Sequence, residues 1–214
     1  MIYSRYRHLA IDRAKPAPTA AQLAAIERLL GAKLPSSFCE FLQVANGGYL
    51  EYMIDIPLDD GKSEPLSFGS VFCADEGDFL DGTFRGEINS SREYQKVPTG
   101  VLPFARDGGG SMVYLDLSPE GKGRVVAFVE GLPEWTGLRT QSAFIELASS
   151  FDDYVDKLRI DREMVIDQLR QDAKTTAHID ATEEWLDIGM PRWRQDSEIV
   201  GAVADARRRV AASG

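Results

Sequence analysis

The chain has 214 residues, 43% of them apolar and 27% charged, and a formal net charge of -10. That length supports one well-buried core, and the acidic balance argues against nucleic acid or an anionic membrane as a partner and for a basic one. No apolar run approaches the roughly 18 residues a membrane-spanning helix needs, and Met1 to His8 has no apolar stretch behind its charges, so a cytoplasmic protein is expected.

Residues 1–18 are polar, hold Pro16 and Pro18 and lack periodicity, which reads as an N-terminal arm whose aromatic residues dock locally. Thr19 has the chemistry of an N-cap. Leu23, Ile26 and Leu30 then share a helix face, and Gly31 stands where a C-terminal stop belongs. Leu34-Pro35 forces an extended step, Ser36 is a second cap, and Phe38, Phe41, Leu42 and Ala45 recur at helical spacing until Asn46-Gly47-Gly48 ends the element in a structural turn. From Tyr49 to Leu58 the pattern alternates, with Leu50, Tyr52, Ile54 and Ile56 against Glu51, Met53 and Asp55, as in a strand. Leu66 to Ala74 is a weaker strand. Up to Val101 the glycines imply connecting structure with one short helix near Ser91 to Lys96.

The clearest signal follows. Leu102-Pro103-Phe104-Ala105 runs through Arg106-Asp107-Gly108-Gly109-Gly110-Ser111 into Met112 to Leu117, and a second turn at Ser118 to Gly123 leads into Arg124 to Val129. This is an antiparallel meander, and because its strands are apolar at successive positions they read as central and covered on both faces. Gly108, Gly109 and Gly110 lead into a strand with no lysine behind them, so they suit a structural turn with positive φ and not a phosphate loop. Ala143 to Ala148 is open between a strand and the lead-in to a helix. Ser149 or Ser150 then caps a helix with Phe151, Tyr154, Val155 and Leu158 on one face. Beyond Leu158, Val165, Leu169 and Ala173 form one helical stripe and Ile199, Val203, Ala206 and Val210 another, joined by a linker holding Trp185, Gly189-Met190-Pro191 and Trp193. The expected fold is α+β, helices on a largely antiparallel sheet, divided into an arm (1–18), a domain (19–158) and a helical C-terminal extension (159–214).

Chemistry-bearing patterns are few. His8 and His178 lie in the arm and the extension, outside any nucleophile or metal motif with Cys39 or Cys73, which read as packed, reduced thiols. Asp75, Asp78 and Asp81 lack the spacing of a calcium loop. No catalytic residue, metal or cofactor is expected. Charge is nonetheless segregated: Leu50 to Glu87 holds ten acids against two bases, which leaves -8 of the chain's -10 in this segment. It is either a solvated surface or a partner-binding face, and Asp59, Asp60, Asp75, Glu76, Asp78 and Asp81 are the candidate contacts. Phe68, Phe72, Phe79 and Phe84 lie among them as possible anchors, at least half of them serving the core.

Leu29-Leu30-Gly31, Leu34-Pro35, Phe38, Phe41-Leu42 and Asn46-Gly47-Gly48, then Leu102-Pro103-Phe104-Ala105 with Asp107 to Gly110 and Tyr114-Leu115-Asp116, and last Ser150-Phe151 with Tyr154 and Leu158, resemble in order and spacing the SUKH superfamily. That group includes the fungal Smi/Knr cell-wall-assembly regulators. The resemblance covers residues 20–158 and has no counterpart for the tail. It implies an α+β domain without enzymatic activity of its own. Bacterial members are similar to immunity proteins that neutralise a cognate polymorphic toxin, often a nuclease, so a basic toxin domain is the expected partner. The alternative is a regulatory or scaffold module that recruits a cellular protein, as the fungal members do.

Overall fold

The computed structural model describes residues 3–57, 61–75, 82–136 and 140–213. Where the sequence reads as an arm, β1 (Ser4–Tyr6) and β2 (Leu9–Ile11) form an antiparallel hairpin. Leu9, Ala10 and Ile11 are all buried, and the Tyr6 ring packs edge-on to Phe41 at 5.4 Å. The burial comes from three consecutive apolar residues lying between two layers, which a period-2 pattern does not reveal.

Helix α1 (Ala20–Leu30) starts and stops as read. Thr19 and Gln22 close a reciprocal capping box, and Gly31, at φ 77°, returns its N–H to the Glu27 carbonyl. Helix α2 (Ser36–Ala45) buries Phe38, Phe41, Leu42 and Ala45 as its spacing predicts, but Ser36 is its first helical residue; Pro35 holds the cap position and no side chain caps the end. Asn46 then ties three segments together, accepting from the Ala74 N–H at 2.8 Å and donating to the Pro16 carbonyl at 2.7 Å. Gly47 has φ 63°, and a Cβ on Gly48 would lie 2.6 Å from an Ile11 methyl, so the Asn-Gly-Gly turn is fixed by close packing.

The alternation after Tyr49 survives in burial more than in hydrogen bonding. Leu50, Tyr52, Ile54 and Ile56 are all buried, yet the ladder is only β3 (Ile54–Pro57), paired with β4 (Ser63–Leu66). Likewise the strand expected over Leu66 to Ala74 reduces to β5 (Ser70–Val71). Helix α3 (Phe84–Tyr94) is longer than the helix expected near Ser91 to Lys96 and starts earlier, with Thr83 capping the Gly86 N–H.

The meander is present as β6 (Val101–Arg106), β7 (Met112–Asp116) and β8 (Arg124–Val129); β9 (Ala143–Ala148) is the next strand, and the five-stranded sheet runs β5-β6-β7-β8-β9, antiparallel throughout. Ser150 caps α4 (Phe151–Lys157) through the Asp153 N–H. Val113, Leu115, Val125 and Ala127 are fully buried on one face. The aromatic centre of the core is Phe38, whose ring lies 5.0 Å from Phe151, 5.6 Å from Phe104 and 6.2 Å from Phe84 in edge-to-face geometry.

The glycine turn between β6 and β7 corrects one expectation. None of Gly108, Gly109 and Gly110 takes a left-handed φ. Instead one carboxylate oxygen of Asp107 accepts from the Gly109 and Ser111 N–H groups at 2.8 and 3.0 Å. A Cβ on Gly110 would fall 1.7 Å from the Glu130 carboxylate, so there the absent side chain makes room for a neighbour.

After Leu158 come α5 (Arg162–Gln171), α6 (Thr176–Gly189) and α7 (Ser197–Ser213). The two stripes are buried as predicted except at Val210, which is partly buried, but the expected linker is largely helix α6, with Trp185 buried on it. These helices share the core of the rest: Met53 and Arg159 exchange backbone hydrogen bonds at 2.7 and 3.0 Å, and Trp185 stands edge-on to Tyr52 at 6.3 Å. Among the described residues no helix is long and apolar enough to cross a membrane.

Candidate functional site

The second face of the sheet is where cover runs out. Its side chains form three cross-strand rows: Met112, Phe128 and Phe144; Tyr114, Val126 and Glu146; Asp116 and Arg124. Helix α3 reaches the β7 end of these rows, where Ser91 Oγ contacts Met112 Sδ and the Tyr114 hydroxyl donates to Gln95 at 2.6 Å. Over β8 and β9 burial alternates, and Phe144 keeps 64% of its surface in solvent. The expectation of cover on both faces therefore holds for β6 and β7 and fails for β8, and the open face continues onto β9, which the sequence left undecided between strand and helix lead-in.

Between the segment after α3 and this face lies a groove of about 570 Å³, with Tyr114, Val126 and Phe144 as floor and Gln95, Pro98 and Glu146 on its rim. Phe144 stands 6.3 Å from the Tyr114 ring and 5.3 Å from Phe128. Burial pushes the Tyr114 hydroxyl up to about 12. At the far end, Asp116 accepts from Ser118 N and Oγ and from Arg124 at 3.1 Å, which satisfies a carboxylate that is almost fully buried. Arg124 reaches Glu146 at 3.4 Å, and that carboxylate is half exposed. Chemically this surface offers apolar area, two ring faces and one loosely held carboxylate; it presents no nucleophile beside a base.

The acids singled out from the sequence fare differently. Asp59, Asp60, Glu76, Asp78 and Asp81 lie outside the described residues, as does Phe79. Asp75 is described and is ion-paired with Lys15 at 2.5 Å. Of the other acids in that segment, Asp55 is paired with Arg159 at 2.7 Å, and Glu87 is buried, accepting from the Gly82 N–H at 3.0 Å. Glu51 is partly buried, and desolvation raises its carboxyl above the usual range, opposed by His178. Phe68, Phe72 and Phe84 are core residues.

His8 contacts the Leu158 carbonyl at 3.0 Å and His178 lies 3.4 Å from the Gln168 amide, so the two histidines serve different places. Cys73 is buried and Cys39 partly so, and burial pushes the Cys39 thiol up. Among the described residues no cluster of three His, Cys, Asp or Glu side chains is arranged to hold a metal. Asp152 and Asp153, adjacent in sequence, diverge: the first pairs with Arg7, the second with Lys157 and the Ser149 N–H.

Sequence reasoning assigned Val126, Phe128 and Phe144 no role. The available signal was the charge at Arg124 and Glu146, which flank apolar residues of the same parity on two strands.

The family model described as SMI1 / KNR4 family (SUKH-1) matches residues 17–157, about two thirds of the chain. No curated protein matches the chain.

Proposed function

Since the chain belongs to the SMI1/KNR4 family (SUKH-1), we propose that it acts by binding a protein and not by chemistry of its own. In this reading it is an immunity protein that covers the active surface of a cognate bacterial toxin, with a nuclease-type domain as the favoured partner. The observation that carries it is the uncovered aromatic row on the sheet, with Phe144 turned out to solvent beside Phe128. Aromatic side chains held rigidly on a strand are what a tight interface uses as anchors, because they bury much area and lose little rotamer entropy.

The net charge supports the same reading. A nuclease domain carries cations for phosphate, and a chain with net charge -10 attracts such a surface over a distance, raising the association rate. Buried anchors then set the lifetime. Such pairs reach dissociation constants of roughly 10⁻¹³ M or below.

The test is co-expression with the toxin domain encoded beside this chain's gene. Growth in the presence of toxin and chain, and arrest with toxin alone, is the expected result. Arrest in both cultures overturns the immunity reading, and recovery of the chain in a complex with a regulatory protein instead favours the scaffold alternative.

A further inference from the structure

The protein-binding reading leaves open what the partner brings to the sheet, and the groove narrows it. We propose that this groove receives a lysine or arginine side chain of the basic protein partner, its methylenes on Val126 and Phe144 and its cation at Glu146. The inference rests on the reading above and deepens it.

Three features of the groove call for a side chain that is apolar along its length and cationic at its tip. The floor is Tyr114, Val126 and Phe144: the Tyr114 ring is buried, and the Phe144 ring, 6.3 Å from it and mostly in solvent, lies beside the branched Val126 on the same face. Long basic side chains lay their stems on such surfaces and gain further from the negative face of an exposed ring such as Phe144. The rim then supplies Glu146, in the same cross-strand row as Tyr114 and Val126, so stem and head are served in register.

The second feature is how Glu146 is held. Its counter-ion, Arg124, sits at 3.4 Å, and Arg124 is bound more closely, at 3.1 Å, to the buried Asp116. Arg124 therefore keeps its charge compensated when Glu146 changes partner, and an ion pair this exposed contributes little to the fold. Three of the described acids of the Leu50 to Glu87 segment behave otherwise: Asp55 and Asp75 are held at 2.7 and 2.5 Å and Glu87 is buried.

The third is what the groove rejects. An anionic group would have to be drawn by Lys96 and Arg124, but Arg124 is already compensated by two carboxylates, and Lys96 lines the groove together with Glu146, whose half-exposed carboxylate repels an anion. A second copy of the chain would bring Glu130, Glu134 and Glu146, exposed on or beside β8 and β9, against their own like charges. The half-exposed Glu146 and the chain's net charge of -10 thus favour a basic surface of a different protein.

The first test uses N-acetyl-arginine amide as probe, with N-acetyl-norleucine amide as the uncharged control, titrated into the isotope-labelled full chain and followed by NMR. The expected result is shifts centred on Tyr114, Val126, Phe144 and Glu146 with the arginine probe only, and affinity weakened about threefold by Phe144→Ala and by Glu146→Gln. Asp167→Asn, an exposed acid on α5, should leave it unchanged. Shifts scattered over the acidic surface, equal shifts with norleucine, or indifference to Phe144→Ala would overturn the proposal. A dimer in sedimentation that Phe144→Ala dissolves would assign the face to a second copy and overturn it too. Against the toxin domain the outcomes separate: neutralisation that is unaffected by Glu146→Gln and Phe144→Ala removes the groove and leaves the immunity reading standing. Failure of the wild-type chain to neutralise removes that reading, and with it the toxin as source of the side chain, whatever the arginine titration shows.

Discussion

Phe128 and Phe144 face each other across β8 and β9 with ring centroids 5.3 Å apart, on a side of the sheet where Phe144 remains mostly in solvent. A ring in that position adds little to folding. Phe144→Ala should change the unfolding free energy by less than about 0.5 kcal/mol, as for surface substitutions generally. Phe38→Ala removes a fully buried ring with aromatic neighbours at 5.0 to 6.3 Å and should cost about 3–5 kcal/mol. Urea unfolding of both variants checks this, and a comparable loss in each would mean that Phe144 belongs to the core.

The C-terminal helices should unfold together with the sheet. Gly189 is the most sensitive point of that seam, because a Cβ there would lie 2.6 Å from an Ile160 methyl and 2.7 Å from the Tyr52 hydroxyl. Gly189→Ala should destabilise by about 1–3 kcal/mol through overpacking, although alanine is the better helix former. Thermal unfolding followed by far-ultraviolet dichroism and by tryptophan fluorescence, to which the buried Trp185 and Trp193 contribute, should give one transition with both probes. Two separated transitions would show that the helices form an independent unit.

Much of this was legible in the sequence, and the failures share a cause. Thr19, Gly31 and Ser150 announce their helix ends because capping is local chemistry, and Phe38, Phe41, Leu42 and Ala45 announce a buried face because the period is unambiguous. Residues 4–11 and α6 were missed because their burial is set by what packs against them from far along the chain; Trp185, for one, is buried against Tyr52. The open face was hidden for a related reason. Val126, Phe128 and Phe144 have the same apolar character as residues under a helix, and only the reach of α3 decides which of them are covered. The acidic segment was legible as charge, but the pairing of Asp55 with Arg159, 104 positions away, was not.

Alkaline pH should weaken the fold in a defined window. Burial pushes the hydroxyls of Tyr52 and Tyr114 up to about 12, above their value near 10 in the unfolded chain. A raised value means that the unfolded chain releases these protons first, so the stabilisation is complete below about pH 10 and is lost as pH climbs towards 12. Tyr154, which is buried too, is pushed up further still, so absorbance at the tyrosinate band should show at least three late-titrating tyrosines that move towards the normal range in denaturant. Titration of Tyr52 and Tyr114 in the ordinary tyrosine range near 10 would contradict the burial described.

At the acid end the sensitive group is Asp196, held at about 2 chiefly by hydrogen bonds from Arg162, which it meets at 2.6 Å. A depressed carboxyl contributes stability that is present above its unfolded value near 4 and disappears as pH falls through 2. Asp196→Asn retains an acceptor for the Glu198 and Ile199 N–H groups that it caps, while removing the charge. The variant should therefore show a shallower loss of stability between about pH 4 and pH 2 than the wild type; parallel curves would mean that the ion pair has no energetic weight.

The central claim is that this family member holds its partner on the uncovered face of the sheet, and calorimetric titration with the cognate toxin domain tests it most directly. Phe144→Ala should weaken binding by about tenfold to a hundredfold, the cost of a truncated anchor, while Asp75→Lys changes it little beyond the association rate. Unaltered affinity in Phe144→Ala together with loss of binding in Asp75→Lys would contradict the account and return the interface to the acidic segment.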